Sequence, residues 1–288
     1  MWKVQLPDNT DAIPELFVGL TYVGGEPKHS LTAAEWRTVE ITFERYDNLR
    51  GVAHDDLLAN SLLPGSKDAI HDAYDEIQEK RRLSDLRSRL LLSSDRCPCC
   101  GISAADELDH HLPRSVYHAL ATYSRNLVPI CHKCNNKKRT VTGENPLERF
   151  IHVYYDDVPQ AEQFLNVIVT ISGNTLQTTF SIIQSASMLD EVFHKLSFQI
   201  RRVNLDQRLK REVNTFLFSA CESLNEAYAA HNNADNIRIL LSRTARQHQN
   251  RFGLNDWRTV LLSALANNAA FCDGGFVGIL NYQPVIID

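Results

Sequence analysis

The chain has 288 residues, of which 43% are hydrophobic and 23% are charged, as in an ordinary soluble globular protein. Its net charge of −5 argues against a protein that coats nucleic acid over its whole surface. The polar beginning, broken by proline, and the lack of an apolar run long enough to cross a bilayer argue against export and membrane insertion. We therefore expect a cytoplasmic protein with no membrane partner.

The first part of the chain carries clear helix signals. Thr32-x-x-Glu35 has the form of a capping box, so we predict a helix that begins at Thr32 and ends by Gly51. A second, strongly polar helix is predicted from Ser66 to about Leu92. Its apolar residues keep helical spacing but change phase part-way along, which a kink or two short helices would explain.

The last part of the chain predicts a hairpin followed by helices. Two β-rich runs, 166–171 and 176–182, flank Ser172-Gly173-Asn174 and predict an antiparallel pair. From Ser187 onward the apolar spacing predicts helices that pack as a core and carry no catalytic residues. Their predicted ranges are 187–202, 205–230, 235–249 and a last helix from near 255.

Basic residues are concentrated in the middle of the chain. Residues 80–139 contain 12 Lys and Arg against 5 Asp and Glu, a net charge of +7, whereas the remainder has a net charge of −12. A basic island in an acidic chain indicates a local contact with a polyanion, although a solvated basic helix face would have the same composition.

Five of the seven cysteines fall within this stretch, and four of them form two CxxC pairs. Cys97 and Cys100 form the first pair, Cys131 and Cys134 form the second, and Cys99 is a spare thiol. Two such pairs can supply four thiolates to one tetrahedral zinc ion, and clustered pairs in a cytosolic protein indicate metal. We therefore predict a structural Zn²⁺ that stabilises the fold and takes no part in chemistry.

The residues between the two pairs carry a second pattern, within residues 97–138. Its members are Asp109-His110, Pro113, Asn126-Leu127, Cys131, and Cys134-Asn135 followed by Lys138. The pattern resembles that of HNH nucleases, whose fold is a β-hairpin and a helix around one divalent metal ion. The resemblance implies a ββα-metal module that hydrolyses phosphodiester bonds, with a strand that ends near Asp109 and His110.

The resemblance also implies roles that suit the chemistry of each side chain. His110 is the expected general base, because a neutral imidazole accepts a proton near pH 7. Asp109 and Asn135 are the expected ligands of a catalytic Mg²⁺ or Mn²⁺, since these ions prefer hard oxygen ligands. Asn126 is expected to tie down the loop and to orient His110, which completes the predicted catalytic set.

Residues beside this set carry further predictions. Arg114, Lys137 and Lys138 are candidates for phosphate contact, and Lys138 matches the family position best. His111 creates a His-His pair, and in an alternative register it would be the base while His110 would bind metal. The presence of Asp109 argues for the first register.

These observations predict an α+β chain in which the HNH module, with its four-cysteine zinc, is embedded in mainly helical sequence with a small β-hairpin. We place the nuclease module at 94–150. The other predicted segments are an N-terminal segment at 1–64, a basic helical lead-in at 65–93 and a mainly helical C-terminal domain at 151–288.

Three flanking sequences resemble HNH proteins of bacterial anti-phage defence, such as Septu-like systems in which the partner is an ATPase. They are EKRRLSDLRSRLL, NPLERFIHVYYDD and GLNDWRTVLLSAL. We therefore predict a metal-dependent HNH endonuclease that cuts DNA as an effector of antiviral defence. A ribonuclease of the same mechanism, including one that cuts transfer RNA, stays open, because the motif acts on the phosphate and not on the sugar. A zinc-stabilised subunit that binds nucleic acid or protein without catalysis also stays open.

Overall fold

The computed structural model describes residues 2–141, 143, 145–229 and 233–280. The chain divides into two compact units: the first unit contains residues 2–158 and 194–203, and the second contains 159–193 and the chain from 204 onward. Each unit combines helices with one two-stranded antiparallel sheet, so the predicted α+β class is confirmed. The four segments predicted from the sequence are not compact units of this kind, and their boundaries stay predictions.

Helices dominate the beginning of the first unit. At the predicted capping box, the Thr32 hydroxyl accepts a hydrogen bond from the backbone N–H of Glu35, whose carboxylate accepts one from the N–H of Thr32. The predicted helix start is therefore confirmed, and the helix ends at Asn48, three residues before Gly51. The four helices of this region are α1 (Ala12–Gly19), α2 (Ala33–Asn48), α3 (Pro64–Ala73) and α4 (Ser84–Leu92).

The predicted polar helix of residues 66–92 is broken in the middle. Helix α3 tightens into a 3₁₀ turn at Tyr74–Ile77, and α4 begins only at Ser84. The helical path ends at Gln78, which is extended with φ −70° and ψ 165°, and Lys80 then has a left-handed backbone with φ 62°. The phase change of the apolar residues is therefore explained by two short helices.

A short hairpin and a helix form the centre of the first unit. Strand β1 (Glu107–His110) pairs antiparallel with β2 (Leu127–Ile130), with His110 opposite Leu127, and α5 (His132–Lys138) follows directly. β1 ends at His110, as expected. The loop between the strands contains 3₁₀ turns at His118–Leu120 and Ser124–Asn126; the other short turns of this unit are Asp55–Leu58 and Pro146–Glu148.

The hairpin is held by apolar packing on helix α4. Leu86 and Leu90 of α4 pack with Leu108 of β1 and Leu127 of β2 in one buried cluster. Burying a leucine side chain fully contributes about 1.5–3 kcal/mol, so these contacts fix the strand against the helix. Side chains of α4 and β1 that point out of the cluster can therefore share one surface.

The second unit contains the predicted hairpin and most of the C-terminal helices. Strands β3 (Leu165–Ser172) and β4 (Thr175–Ile182) pair antiparallel through a two-residue turn at Gly173-Asn174, in which Gly173 has φ 55°. Both predicted strands are confirmed. The helices are α7 (Leu205–Ser219), α8 (Cys221–Ala229), α9 (Ala234–Phe252), α10 (Trp257–Ala266) and α11 (Phe276–Leu280).

Two helices depart from their predicted ranges. The helix predicted at 205–230 is broken between α7 and α8, and its last residue, Ala230, lies outside the described residues. The helix predicted at 187–202 begins at Asp190 and forms α6 (Asp190–Arg202), of which residues 194–202 belong to the first unit. Beyond α10, a kinked helical turn at Phe271–Gly275 leads into α11, and residues 281–288 of the predicted C-terminal domain lie outside the described residues.

Within the described residues, no single helix is long and apolar enough to cross a membrane. The pair Trp257–Ala266 and Phe271–Leu280, bent by 86°, passes the same length and composition test only when taken together.

Candidate functional site

Four buried cysteines form a cluster that could hold a metal ion. The Sγ atoms of Cys97, Cys100, Cys131 and Cys134 all lie within 4.8 Å of one another, and those of Cys100 and Cys131 are 3.8 Å apart. Tetrahedral zinc with Zn–S bonds of about 2.3 Å places its sulfur ligands roughly 3.8 Å apart, so the spacing fits this ion. The predicted four-cysteine group is therefore confirmed, and Cys99 is not a member of it.

Local backbone geometry explains how the cluster forms. In the first pair, the N–H of Gly101 donates to the carbonyl of Cys97 at 2.8 Å, and Gly101 has φ 69°, a conformation that glycine adopts without strain. In the second pair, Cys131 precedes α5 and Cys134 lies in its first turn. Because Cys134 and Asn135 are consecutive, the cluster also fixes the start of the helix that carries Asn135.

A cleft of about 410 Å³ lies beside the cluster on the surface of the first unit. It brings together four residues that the sequence predicted as functional, and they come from β1, the following loop and α5. Its other residues come from β1, from the segment between α3 and α4, and from α4 itself. The lining residues are Tyr74, Gln78, Arg87, Glu107, Leu108, Asp109, His110, Arg114 and Asn135.

His110 is held in a single tautomer. Its Nε2 lies 2.8 Å from the carbonyl oxygen of Ala121, which can only accept, so Nε2 carries the proton and Nδ1 keeps its lone pair. The ring packs edge-on against Tyr74, with centroids 4.5 Å apart. Burial lowers the pKa of His110 to about 3, so the neutral form prevails at pH 7. A neutral imidazole with an open nitrogen can act as a general base.

Asn126 is fully buried, and its side-chain amide is saturated with hydrogen bonds. Oδ1 accepts from the N–H of Leu112 at 2.8 Å and from the hydroxyl of Tyr46 at 3.0 Å. Nδ2 donates to the carbonyls of Leu112 at 3.0 Å and Leu120 at 3.2 Å. Because Leu120 precedes Ala121, the same amide holds the backbone segment that orients His110. The structure thus gives Asn126 the contacts that the predicted role requires.

Asp109 and Lys138 form a buried ion pair. Lys138 Nζ lies 2.8 Å from Asp109 Oδ2 and donates to the carbonyls of His110 at 2.8 Å and His111 at 3.2 Å. Burial raises the pKa of Asp109, whereas the nearby ammonium lowers it. Lys138 is only 3% exposed. The structure therefore corrects the predicted phosphate contact of Lys138: its ammonium is an internal counter-ion that binds the end of β1.

Asn135 lines the cleft and is held by a residue that the motif did not include. Its Nδ2 donates to Glu107 Oε2 at 2.8 Å, and Glu107 Oε1 lies 2.6 Å from Nδ1 of the exposed His132. Since a carboxylate only accepts, Nδ2 must face Glu107, which leaves Oδ1 of Asn135 as a potential ligand atom. The sequence did indicate that Glu107 could lie in the cleft, because it stands two residues before Asp109 and therefore on the same face of a strand.

The other two predicted phosphate contacts occupy different positions. Arg114 is half-buried in the cleft, donates to the carbonyl of His71 at 3.0 Å and lies with its guanidinium 4.8 Å from the centre of the Tyr74 ring. Lys137 is exposed near the end of α5 and does not line the cleft. Arg114 is thus the better placed of the two to meet a phosphate beside His110.

His111 points into a separate cavity. Its ring centroid lies 4.0 Å from that of His152, and the two rings line this cavity with Lys138 and Lys195. His111 does not line the cleft that contains Asp109 and His110. The geometry therefore favours His110 over His111 as the base.

Three further cleft residues could not be identified from the motif. Tyr74 donates from its hydroxyl to the carbonyl of Leu108 at 3.1 Å, which joins the 3₁₀ turn to β1. Gln78 and Arg87 come from the break between α3 and α4 and from α4 itself. Their approach to the cleft depends on tertiary packing, for which the sequence pattern carries no direct signal.

The chain is similar to Protein ea31 of Escherichia phage lambda, with 27% identity over 245 residues, which cover 79% of this chain and 76% of the relative. No family model and no solved structure matches the chain.

Proposed function

We propose that the first unit is a metal-dependent endonuclease of the HNH type, which hydrolyses phosphodiester bonds in DNA. The observation that carries the proposal is the meeting of Asp109, His110 and Asn135 in one cleft, with Nδ1 of His110 available as a proton acceptor. The order of β1, β2 and α5, with the cysteine cluster at the start of α5, is the order that the HNH resemblance implies, and it supports the proposal.

In this proposal His110 removes a proton from the attacking water. Nδ1 accepts the proton, while the Nε2–H bond to Ala121 stabilises the imidazolium that forms. Asn126 keeps the Ala121 segment in place and so acts as a positioning residue. General base catalysis of this kind contributes about 10²–10⁴-fold to a rate.

The cleft also offers ligand atoms for a hard divalent cation. Asp109 Oδ2 is buried and, apart from its ion pair with Lys138, has no regular hydrogen bond, and Asn135 Oδ1 is directed away from Glu107. Asp109 and Asn135 would hold Mg²⁺ or Mn²⁺, and a bound ion would supply charge neutralisation at the phosphate and at the leaving oxygen. Arg114 would help to orient the phosphate in the same cleft.

Nicking of supercoiled plasmid tests the proposal directly. With Mg²⁺ or Mn²⁺ we expect the protein to convert plasmid into open-circular or linear DNA, and His110→Ala to lower the rate at least 100-fold, within the general-base range of about 10²–10⁴. His54→Ala is the matched control, because His54 is exposed and does not line the cleft. Zinc content and circular dichroism should be unchanged in both variants.

A parallel assay with labelled RNA distinguishes a DNA substrate from an RNA substrate. Cleavage of RNA alone would replace the DNA endonuclease with a ribonuclease of the same mechanism. Failure to cut either substrate would contradict catalysis and leave a non-catalytic, zinc-stabilised binding subunit.

A role in antiviral defence and an ATPase partner are proposed on the flanking sequence resemblance alone. Phage titres should be lower on cells that carry the gene together with its neighbouring genes than on cells in which the gene carries His110→Ala. Equal phage titres on the two strains would contradict the defence role and would leave the nuclease proposal intact.

A further inference from the structure

Arg87 is a buried cation that lines the cleft. It lies on α4, is only 9% exposed, and its side chain reaches the same surface as Asp109 and His110. Arg89, two residues further along the same helix, differs from Arg87 in both respects. Its side chain is 61% exposed and lies 3.0 Å from the Glu15 carboxylate.

The charge of Arg87 has no counter-ion in the described part of the chain. Nη2 donates to the backbone carbonyl of Asp106 at 3.0 Å, Nε is buried without a hydrogen-bond partner, and no carboxylate forms an ion pair with the guanidinium. Removing a charge from water without pairing it is costly, so such a group is stabilised when an anion binds beside it.

The two acidic residues of the cleft contact other groups and not Arg87. Glu107 accepts from Asn135 and lies beside His132, and Asp109 pairs with Lys138. Among the described residues of the first unit, no carboxylate pairs with Arg87, so a bound ligand is the natural source of a complementary anion. A guanidinium presents a planar fork of donors that matches the oxygens of a phosphate.

We propose that Arg87 binds a backbone phosphate of the nucleic acid, together with Arg114 across the Tyr74 side chain. This inference rests on the proposed function, since it assigns the substrate-binding residues of the same cleft. Tyr74 stacks under the Arg114 guanidinium, and both arginines line the cleft that contains His110. Two guanidiniums on one wall would hold the phosphodiester while His110 acts from β1.

Salt dependence of binding tests Arg87 without requiring cleavage. His110→Ala protein is titrated with a fluorescein-labelled DNA duplex of about 20 base pairs, and with RNA of the same sequence, between about 50 and 200 mM salt. Adding Arg87→Gln should weaken binding about tenfold and reduce the slope of log affinity against log salt by about 1. Misfolding would lower the active fraction and would not change this slope.

Arg89→Gln is the matched control, because two residues along a helix turn the side chain by about 200°. It should leave the slope unchanged. If Arg87→Gln fails to fold, Arg87→Lys keeps the charge but loses the planar fork, and we expect it to bind about three- to tenfold more weakly with an unchanged slope. Affinity and slope equal to those of the parent in Arg87→Gln, or affinity equal to it in Arg87→Lys, would overturn the inference.

The outcomes separate this inference from the proposed function. If the wild-type chain nicks plasmid but its binding does not depend on Arg87, the inference falls and the nuclease proposal stands. If nothing is cut but the slope depends on Arg87, phosphate binding stands and catalysis falls. If neither DNA nor RNA is bound, the inference falls as well.

Discussion

The ammonium of Lys138 lies 2.8 Å from the carboxylate of Asp109, and both side chains are almost fully buried. The ion pair joins the last turn of α5 to the end of β1 and places a positive charge behind the cleft. A buried carboxylate that loses a paired ammonium is strongly disfavoured, because the protein interior stabilises an isolated charge poorly.

Lys138→Met tests this relationship. We expect the free energy of unfolding in urea to fall by about 3–5 kcal/mol, the cost of removing one partner of a buried pair. Lys137→Met, on the exposed side of the same helix, should change it by less than about 0.5 kcal/mol. Adding Asp109→Asn to Lys138→Met should recover part of the loss. Equal stability of the two lysine variants would show that the pair does not form.

We expect His110 to keep the proposed nuclease active at mildly acidic pH. Its pKa is lowered to about 3, so the imidazole stays neutral between pH 3 and its ordinary value of about 6.5. The contribution of His110 to folding stability should therefore fall as the pH drops below about 6.5, because only the unfolded chain then takes up the proton. We expect kcat/KM for nicking to stay level down to about pH 5. An acid limb centred near 6.5 would contradict the buried, neutral base.

Replacing a cysteine of the cluster should lower the zinc content, whereas replacing the nearby Cys99 should not. Cys131→Ser should lose bound metal, unfold the region around α5 and abolish nicking, because a three-thiolate site holds zinc less well. Cys99→Ser is the matched control: Cys99 is also buried but is outside the group of four. Metal analysis should find about one zinc per chain in Cys99→Ser and much less in Cys131→Ser. Equal zinc content would contradict the assigned ligands.

The contribution of Glu35 to the free energy of unfolding is expected to decrease as the pH falls. A hydrogen bond from the Ser66 hydroxyl, at 2.6 Å, and others from Thr32 lower the pKa of Glu35 to about 2. The ionised carboxylate therefore stabilises the fold above about pH 4.5, and this contribution is lost as the pH falls towards 2. Glu35→Gln should cost about 1 kcal/mol at pH 7, as loss of a cap does, and the difference from wild type should shrink in acid.

Glu44→Gln is the control for this series, because Glu44 is exposed on the same helix. Urea unfolding at pH 7 and pH 3 should give nearly the same stability for this variant and for wild type. A Glu35→Gln deficit that grows in acid would contradict the capping-box account.

Local rules account for much of what the sequence predicted correctly. The capping box at Thr32, the β3–β4 hairpin and the four cysteines each depend on the spacing of a few residues, and this spacing is visible in the sequence. Lys138 was predicted to contact phosphate, although its position indicated burial: it lies four residues after Cys134, on the same face of α5, and that face is buried.

The outer wall of the cleft could not be predicted in the same way. Tyr74 and Arg87 line the cleft together with His110 because the chain breaks between α3 and α4 and packs α4 against β1. The sequence indicated a break, but the direction of the chain after it depends on which apolar surfaces pack together. Asp109, His110 and Asn135 were predicted from the resemblance, whereas the positions of Glu107, Tyr74 and Arg87 in the cleft are known only from the structure.

Residues 194–203 belong to the first unit although 35 residues of the second unit separate them from residue 158. Lys195 lies 2.8 Å from Asp156, and Gln199 donates to the carbonyl of Cys99 at 3.0 Å. During translation, therefore, the turn at Cys97–Gly101 lacks its hydrogen bond from Gln199 until Gln199 has left the ribosomal exit tunnel. A newborn chain therefore completes the packing of its first unit only after most of the sequence has been synthesised.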